Sequence, residues 1–333
     1  MGIEILELLK EEHVGKFGEA QGATSGGFMS ANKKPVLVHV TNNLTNRGGI
    51  ERLLGGALPL LTDRYEVHAV AYKEKGCYYE CFPDQGVHTH FLPRRGTLSP
   101  LNLSNYASLF RELGAQIVHA HSHVANVFCP LAARLAGVPV RVAHIHNISF
   151  AIHWYGSHSF QRALRRLTEG LAHRISGATV ILPAQCMLPP YSRAMPLVPE
   201  NRFAIVHSGV EFAGIQPVRE EYDLRLQYGL GQDELILGFV GRLVPSKGIA
   251  LLPEIAESLV RAGRSFRIAI LGDGGGEEVE ELRQKAAQIG DGQRFLFLGW
   301  RDKPEQYYPQ FDVFLFPSEP GTEAWSLALT EAA

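Results

Sequence analysis

From Pro35 to the C-terminus, short apolar runs alternate with longer stretches of helical character, and this alternation restricts the fold more than any other feature. PVLVHV (35–40), EVHAVAY (66–72), VHTHFL (87–92), QIVHAH (116–121), VPVRVAHIH (138–146), ATVILP (178–183) and FAIVHSG (203–209) read as strands. The segment after Gly49, NLSNYASLFREL (102–113), VANVFCPLAARLAG (124–137) and SFQRALRRLTEGLAHR (159–174) read as helices. The second half repeats the scheme. Its strands are LILGFVGRL (235–243), FRIAILG (266–272), RFLFLG (294–299) and DVFLFP (312–317). Its helices are IALLPEIAESLVRAG (249–263), EEVEELRQKAAQIG (277–290) and AWSLALTEAA (324–333). Runs without a polar side suit strands covered on both faces, as parallel strands are. Strand–helix alternation then predicts doubly wound α/β sheets.

A chain of 333 residues is long enough for about two domains. The stretch from Gly209 to about Gln232 holds the Gly, Pro and charged residues of a linker, which sets domains at 34–212 and 213–333. EILELLKEEH (4–13) can form a short amphipathic helix, GEAQGATSGGFMSANKK (18–34) contains too few large apolar side chains to bury, and residues 1–33 read as a flexible leader. Ligands of such sheets gather at the carboxyl ends of the strands, so a cleft between the two halves is the expected site.

The formal net charge of −2 excludes any global attraction to nucleic acid or anionic lipid, so an anion site must be local. Cys77, Cys81, Cys129 and Cys186 form no CxxC pair, and buried thiols of a reducing compartment are expected. No run reaches the roughly 18 apolar residues of a membrane span, and no secretion signal is evident at the start. A cytoplasmic enzyme is the expectation.

Several motifs carry chemistry. After the first strand, Gly48 and Gly49 open a helix whose free amides suit an anion or a sugar hydroxyl, although the same pair suits an ordinary tight turn. His119, His121 and His123 alternate at a strand end, and His144 and His146 repeat the spacing. Imidazoles so spaced can ligate zinc. No carboxylate of fitting spacing follows, so the expectation is one catalytic or sugar-binding histidine among core histidines, with no metal site. In FVGRLVPSKG, a strand ends at Gly241 and is followed by Arg242 and, five residues on, Lys247 before a helix. A planar fork of donors, a mobile ammonium and a helix N-terminus together suit a diphosphate. Gly272, Gly274 and Gly276 make a turn near the nucleotide, and the acid expected of an NAD site is missing from the next strand. Glu323 and Glu331, with seven residues between them, flank the start of the last helix, where a carboxylate can accept from vicinal hydroxyls.

The order of these motifs (GG after strand one, VHAH, LAGVPVRVAHIHN, HSGVEF, VGRLVPSKG, ILGDG, LGW, and FPS followed by Glu-x7-Glu) resembles the retaining GT-B glycosyltransferases of the large sucrose-synthase-like family, family four, over residues 35–333. LAGVPVRVAHIHN is similar to members that build bacterial exopolysaccharide or capsule. The resemblance implies two Rossmann-like domains facing across a cleft, a UDP- or GDP-sugar donor, a carbohydrate or lipid-linked acceptor and no required metal. It implies that Arg242 and Lys247 hold the donor diphosphate and that Glu331 binds the nucleotide ribose. It places Glu323 and His121 near the donor sugar and Gly49 by the phosphates. Ala324, Trp325 and Ser326 stand where the family carries glycine and an aromatic, so the donor sugar is open. Relatives continue well past the second acid, so the chain is expected to be C-terminally truncated, with its second domain incomplete and its activity in question. A sugar-nucleotide epimerase or phosphorylase on this fold and a catalytically impaired binding module are the rivals. Arg162, Arg165, Arg166 and Arg174 on the 159–174 helix suit either a solvated face or peripheral contact with the inner face of the plasma membrane.

Overall fold

The computed structural model describes residues 33–94, 99–146, 159–209, 219–319 and 322–333. All but the last residue of the expected leader lies outside this set. The chain divides into two compact units at Gly209.

The first unit is built on seven strands: β1 (Val36–Asn43), β2 (Glu66–Glu74), β3 (Val87–Phe91), β4 (Ile117–His121), β5 (Val140–His144), β6 (Thr179–Leu182) and β7 (Phe203–Ile205). They pair in the order β3-β2-β1-β4-β5-β6-β7, every pair parallel. Its helices are α1 (Gly49–Leu60), α2 (Gly76–Cys81), α3 (Pro100–Glu112), α4 (His123–Leu135), α5 (Ser159–Ser176) and α6 (Leu188–Ala194). Residues 36–41 are buried without a break, as a central parallel strand requires. Val38, Val40, Val118 and Ala120 pack with Tyr106, Phe110 and Phe128 to form the main core. Burial of one such side chain contributes about 1.5–3 kcal/mol, so the core outweighs any single polar contact.

The second unit has β8 (Leu235–Val240), β9 (Phe266–Leu271), β10 (Phe295–Gly299) and β11 (Val313–Phe314), in the order β10-β9-β8-β11, again all parallel. Its helices are α7 (Leu224–Tyr228), α8 (Leu251–Arg261), α9 (Glu277–Gln288) and α10 (Leu327–Ala332). Leu237, Phe239, Ile268 and Ile270 meet Leu252 and Leu282 in its core.

Each sheet has a place where the strand order reverses. In the first it lies between β1 and β4, in the second between β8 and β11. Loops leaving two such neighbouring strands diverge, which opens a crevice at their carboxyl ends.

The structure departs from the sequence reading at several points. Helices α2, α6 and α7 were not foreseen, because helices of five to seven residues are too short to display a 3.6-residue period. Helix α7 falls inside the expected linker, capped by Asp223, whose carboxylate accepts from the Leu226 amide at 3.0 Å, and closed by left-handed Gly229. Strand β11 stops at Phe314 rather than 317; Leu315 makes one more bond to Gly238, and Pro317 has no N–H to offer. Finally, Cys129 alone of the four thiols is buried; Cys77 and Cys186 are exposed, Cys81 is half-buried, and all four are unpaired.

Candidate functional site

In the first unit, the reversal point is lined with histidines. Strand register places His39 of β1 beside His119 of β4, and His121 beside His144 of β5. Register partners share a face, as do residues two apart, so these rings gather on one side of the sheet. His121 is 1% exposed. One of its ring nitrogens meets His39 Nδ1 at 2.9 Å, the other His146 Nε2 at 3.0 Å. Burial holds His39 and His146 down at about 3. Burial and then the neighbouring imidazoles push His119, His121 and His144 well below the ordinary value. His121 is therefore a neutral ring with both nitrogens engaged. It reaches a sugar only by giving up one of them.

Helix α1 begins at the expected glycines, with Gly48 as its cap. Glu51, in the first turn, folds its carboxylate back over Gly48 and accepts from Asn43 Nδ2 at 3.4 Å. An anion arriving at this helix start would share it with that carboxylate.

Two neighbouring features gave no readable signal in the sequence. Ser122, between β4 and α4, has φ 94, the one positive value outside glycine among the described residues, and its Oγ lies 2.9 Å from the Tyr72 hydroxyl. Backbone strain of this kind persists where the surroundings enforce it, often beside a site. Glu169, in the middle of α5, is 1% exposed and reaches His123 Nδ1 at 3.4 Å and His173 Nε2 at 3.6 Å. Burial pushes its carboxyl up, but the neighbouring His123 and His173 pull it below the ordinary value.

In the second unit, the loop after β8 carries the expected cations. Arg242 is exposed. Lys247 ends a 3-10 turn (Pro245–Lys247), and left-handed Gly248, φ 69, leads on toward α8. A Cβ on Gly248 would collide with the Pro317 carbonyl, so the segment after β11 lies directly against this loop. Glu319 N donates to Ser246 O at 3.1 Å, and the Thr322 hydroxyl donates to the same oxygen at 3.3 Å. These bonds carry Glu323 to Lys247, with which it forms a partly buried ion pair. Arg242, Lys247 and Glu323 thus occupy the β8/β11 reversal point. Ser326 caps α10, its Oγ accepting from Leu329 N at 3.3 Å, so the helix starts at Leu327 rather than 324. Glu331 lies within α10, its Oε2 accepting from the Tyr308 hydroxyl at 2.8 Å.

The glycine turn after β9 is backed onto the cation loop. Gly241 N donates to Leu271 O at 2.9 Å, and Leu243 N to Asp273 O at 3.0 Å. Gly272, at φ 144, leaves no room for a Cβ against the Gly241 carbonyl, nor does Gly274 against that of Leu243. Helix α9 follows with Glu277, Glu278 and Glu280 in its first turn. A diphosphate would meet like charge there, so the anion-binding character rests with Arg242 and Lys247.

Comparison with known proteins gives a consistent result. Residues 222–333 match the family model for Glycosyl transferases group 1, and residues 47–213 match that for Glycosyltransferase Family 4. A protein named as glycosyltransferase EpsF from Bacillus subtilis (strain 168) is 30% identical over 298 residues, covering 87% of this chain and 74% of its own length. The UDP-Gal:alpha-D-GlcNAc-diphosphoundecaprenol alpha-1,3-galactosyltransferase of Escherichia coli is 24% identical, covering 85% of this chain and 73% of its own. Among solved structures, Anabaena HepE in complex with UDP and glucose matches with a TM-score of 0.71 at 19% identity, covering 89% of this chain and 77% of its own.

Proposed function

The chain belongs to the group 1 glycosyl transferases, with the two Rossmann-like domains of the GT-B fold, and on that premise we propose that it moves a glycosyl group from a nucleoside diphosphate sugar to an acceptor hydroxyl with retention. The observation that carries this reading is the pair of cations at the β8/β11 reversal point, with Glu323 beside Lys247. Negative charge grows on the departing diphosphate as the anomeric carbon becomes oxocarbenium-like. Arg242 and Lys247 stabilise that charge, with no metal ion needed for the step. Glu323, which holds the ammonium beforehand, lies by the donor sugar. Glu331, oriented by Tyr308, accepts from the ribose hydroxyls. Retention follows from front-face attack, with the leaving phosphate taking the acceptor proton; the anomeric configuration of the product reads it directly.

A thermal-shift panel of UDP-, GDP- and ADP-sugars tests the reading and assigns the base. A donor at 100 times its Kd stabilises the native state by about 2.7 kcal/mol, a shift of several degrees. We expect one base to give this shift and Arg242→Ala to abolish it. A flat panel at millimolar donor removes the nucleotide-sugar reading.

The acceptor we infer is lipid-linked, as the name of the Escherichia coli relative indicates for that enzyme, in bacterial surface polysaccharide synthesis. Helix α5 supports this. It turns Glu169, Ala172, His173 and Ser176 inward and leaves Leu164, Leu167, Leu171 and Ile175 exposed along one face, with Arg174 beside them. The contact we propose is peripheral, through this face; no helix among the described residues is long and apolar enough to cross a membrane. The protein should sediment with vesicles of phosphatidylcholine and phosphatidylglycerol at low salt. Leu167→Asp with Leu171→Asp should leave it in the supernatant. Wild-type protein that stays in solution at every lipid concentration would remove the membrane proposal.

A further inference from the structure

The histidines at the β1/β4 reversal point form a denser cluster than sugar binding requires. We propose that His39, His119 and His121 bind one divalent transition-metal ion of the zinc class.

The first argument is geometric. The register of β1 and β4 sets His39 beside His119, and His121 follows two residues along on the same face. One ring nitrogen from each of the three lies within 4.8 Å of the others. His39 Nδ1 and the His121 nitrogen it faces are 2.9 Å apart. Two nitrogens on one four-coordinate zinc, each 2.0–2.1 Å from it, stand about 3.3 Å apart, so this pair needs almost no movement. His119 closes the rest by rotating its ring, whose centroid is 4.1 Å from that of His121.

The second argument is an accounting of hydrogen bonds. His119 Nε2 is buried and has no partner, and both ring nitrogens of His144, the candidate fourth ligand, are in the same position. His39 and His119 are each 5% exposed. Buried polar atoms in a folded protein are paired, and those without a protein partner call for a water or an ion. Several unsatisfied imidazoles on one face are the donor set a borderline-soft cation selects, whereas magnesium and calcium want oxygen.

The third argument concerns support. A metal-bound imidazole usually donates its other N–H to a fixed acceptor. His121 Nδ1 lies 3.0 Å from His146 Nε2, so it keeps that bond while its Nε2 turns from His39 to the metal. The fourth position falls to water or to His144, whose ring centroid is 5.4 Å from those of both His119 and His121. The ion would pin β1 to β4 where their loops part. It has no place in the transfer step.

The test uses the whole chain, stripped with chelator and loaded with Zn2+ or Co2+. One ion per chain should survive gel filtration, and the cobalt form should show visible d–d absorption. His119→Asn should weaken zinc binding at least 100-fold. His88→Asn with His90→Asn, on the separate histidine cluster of β2 and β3, should leave it unchanged. Sub-stoichiometric retention, unchanged affinity in His119→Asn, or loss of the ion in the β3 variant would each overturn the proposal. Should His119→Asn fail to fold, X-ray absorption on the zinc-loaded wild type decides: a shell with three imidazoles supports the site, and a shell of sulfur or of oxygen alone overturns it.

Discussion

Lys247→Ala is expected to lower kcat about 100-fold with a smaller effect on the stability of the folded state. A preorganised donor aimed at charge that develops in the transition state contributes about 2.7–4 kcal/mol, and each 1.36 kcal/mol is a factor of ten in rate. The ammonium is held in advance by Glu323 and by the turn that ends at Gly248. Stability should fall by only about 1–2 kcal/mol, because the pair is partly buried, with side chains 20% and 24% exposed, and Glu323 keeps access to solvent when its partner is removed. That split between rate and stability separates a catalytic role from a structural one. Lys247→Arg should recover only part of the loss, because a bulky planar fork cannot take the position of a compact ammonium. Turnover within threefold of wild type in Lys247→Ala would remove Lys247 from the mechanism.

The second large effect is acid lability. His39 and His146 are held at about 3 in the folded chain by burial, against about 6.5 when unfolded. Between these values the unfolded chain takes up protons that the native chain refuses, so stability is full above pH 6.5 and falls as the pH drops below it. Each group removes about 1.4 kcal/mol per pH unit in that window. These two histidines alone should therefore cost about 3 kcal/mol between pH 7.5 and pH 5.5. His119, His121 and His144, also pushed well down, act in the same direction. Against a typical stability of about 5–15 kcal/mol, this predicts cooperative unfolding in mild acid. Glu169 belongs to a lower window: its carboxyl lies below the ordinary value, so its contribution disappears only as the pH falls further, through that lowered value. Urea unfolding at pH 7.5 and 5.5, with chelator present, measures the effect. Equal midpoints at the two pH values would show that the rings accept protons without unfolding.

The two sheets were legible in the sequence because parallel strands must be apolar on both sides, and runs such as 36–40 and 266–271 announce that without alignment. The Arg242–Lys247 loop was legible for a related reason: a strand end, a cation, a turn and a second cation are close in the chain. What escaped was non-local. His39 reads as one polar residue in an apolar strand, and only the pairing of β1 with β4 shows that it belongs with His119 and His121. Glu169 sits among charged neighbours on an arginine-rich helix, where nothing in the spacing says that the carboxylate faces inward and the leucines outward. Glu51 looked like an ordinary first-turn acid and is instead folded over Gly48. Tyr308 lies in a stretch with no periodicity, yet it orients Glu331.

The backing of the glycine turn onto the cation loop limits how this protein can be re-engineered. Gly272 and Gly274 press on the carbonyls of Gly241 and Leu243, so the two turns behave as one rigid casting made of main chain, and a side chain added to either glycine would push Arg242 and its neighbours out of line. A library aimed at new sugar preferences has no latitude there. Its diversity belongs at Ala324 and Trp325, just beyond Glu323, where change leaves that casting intact.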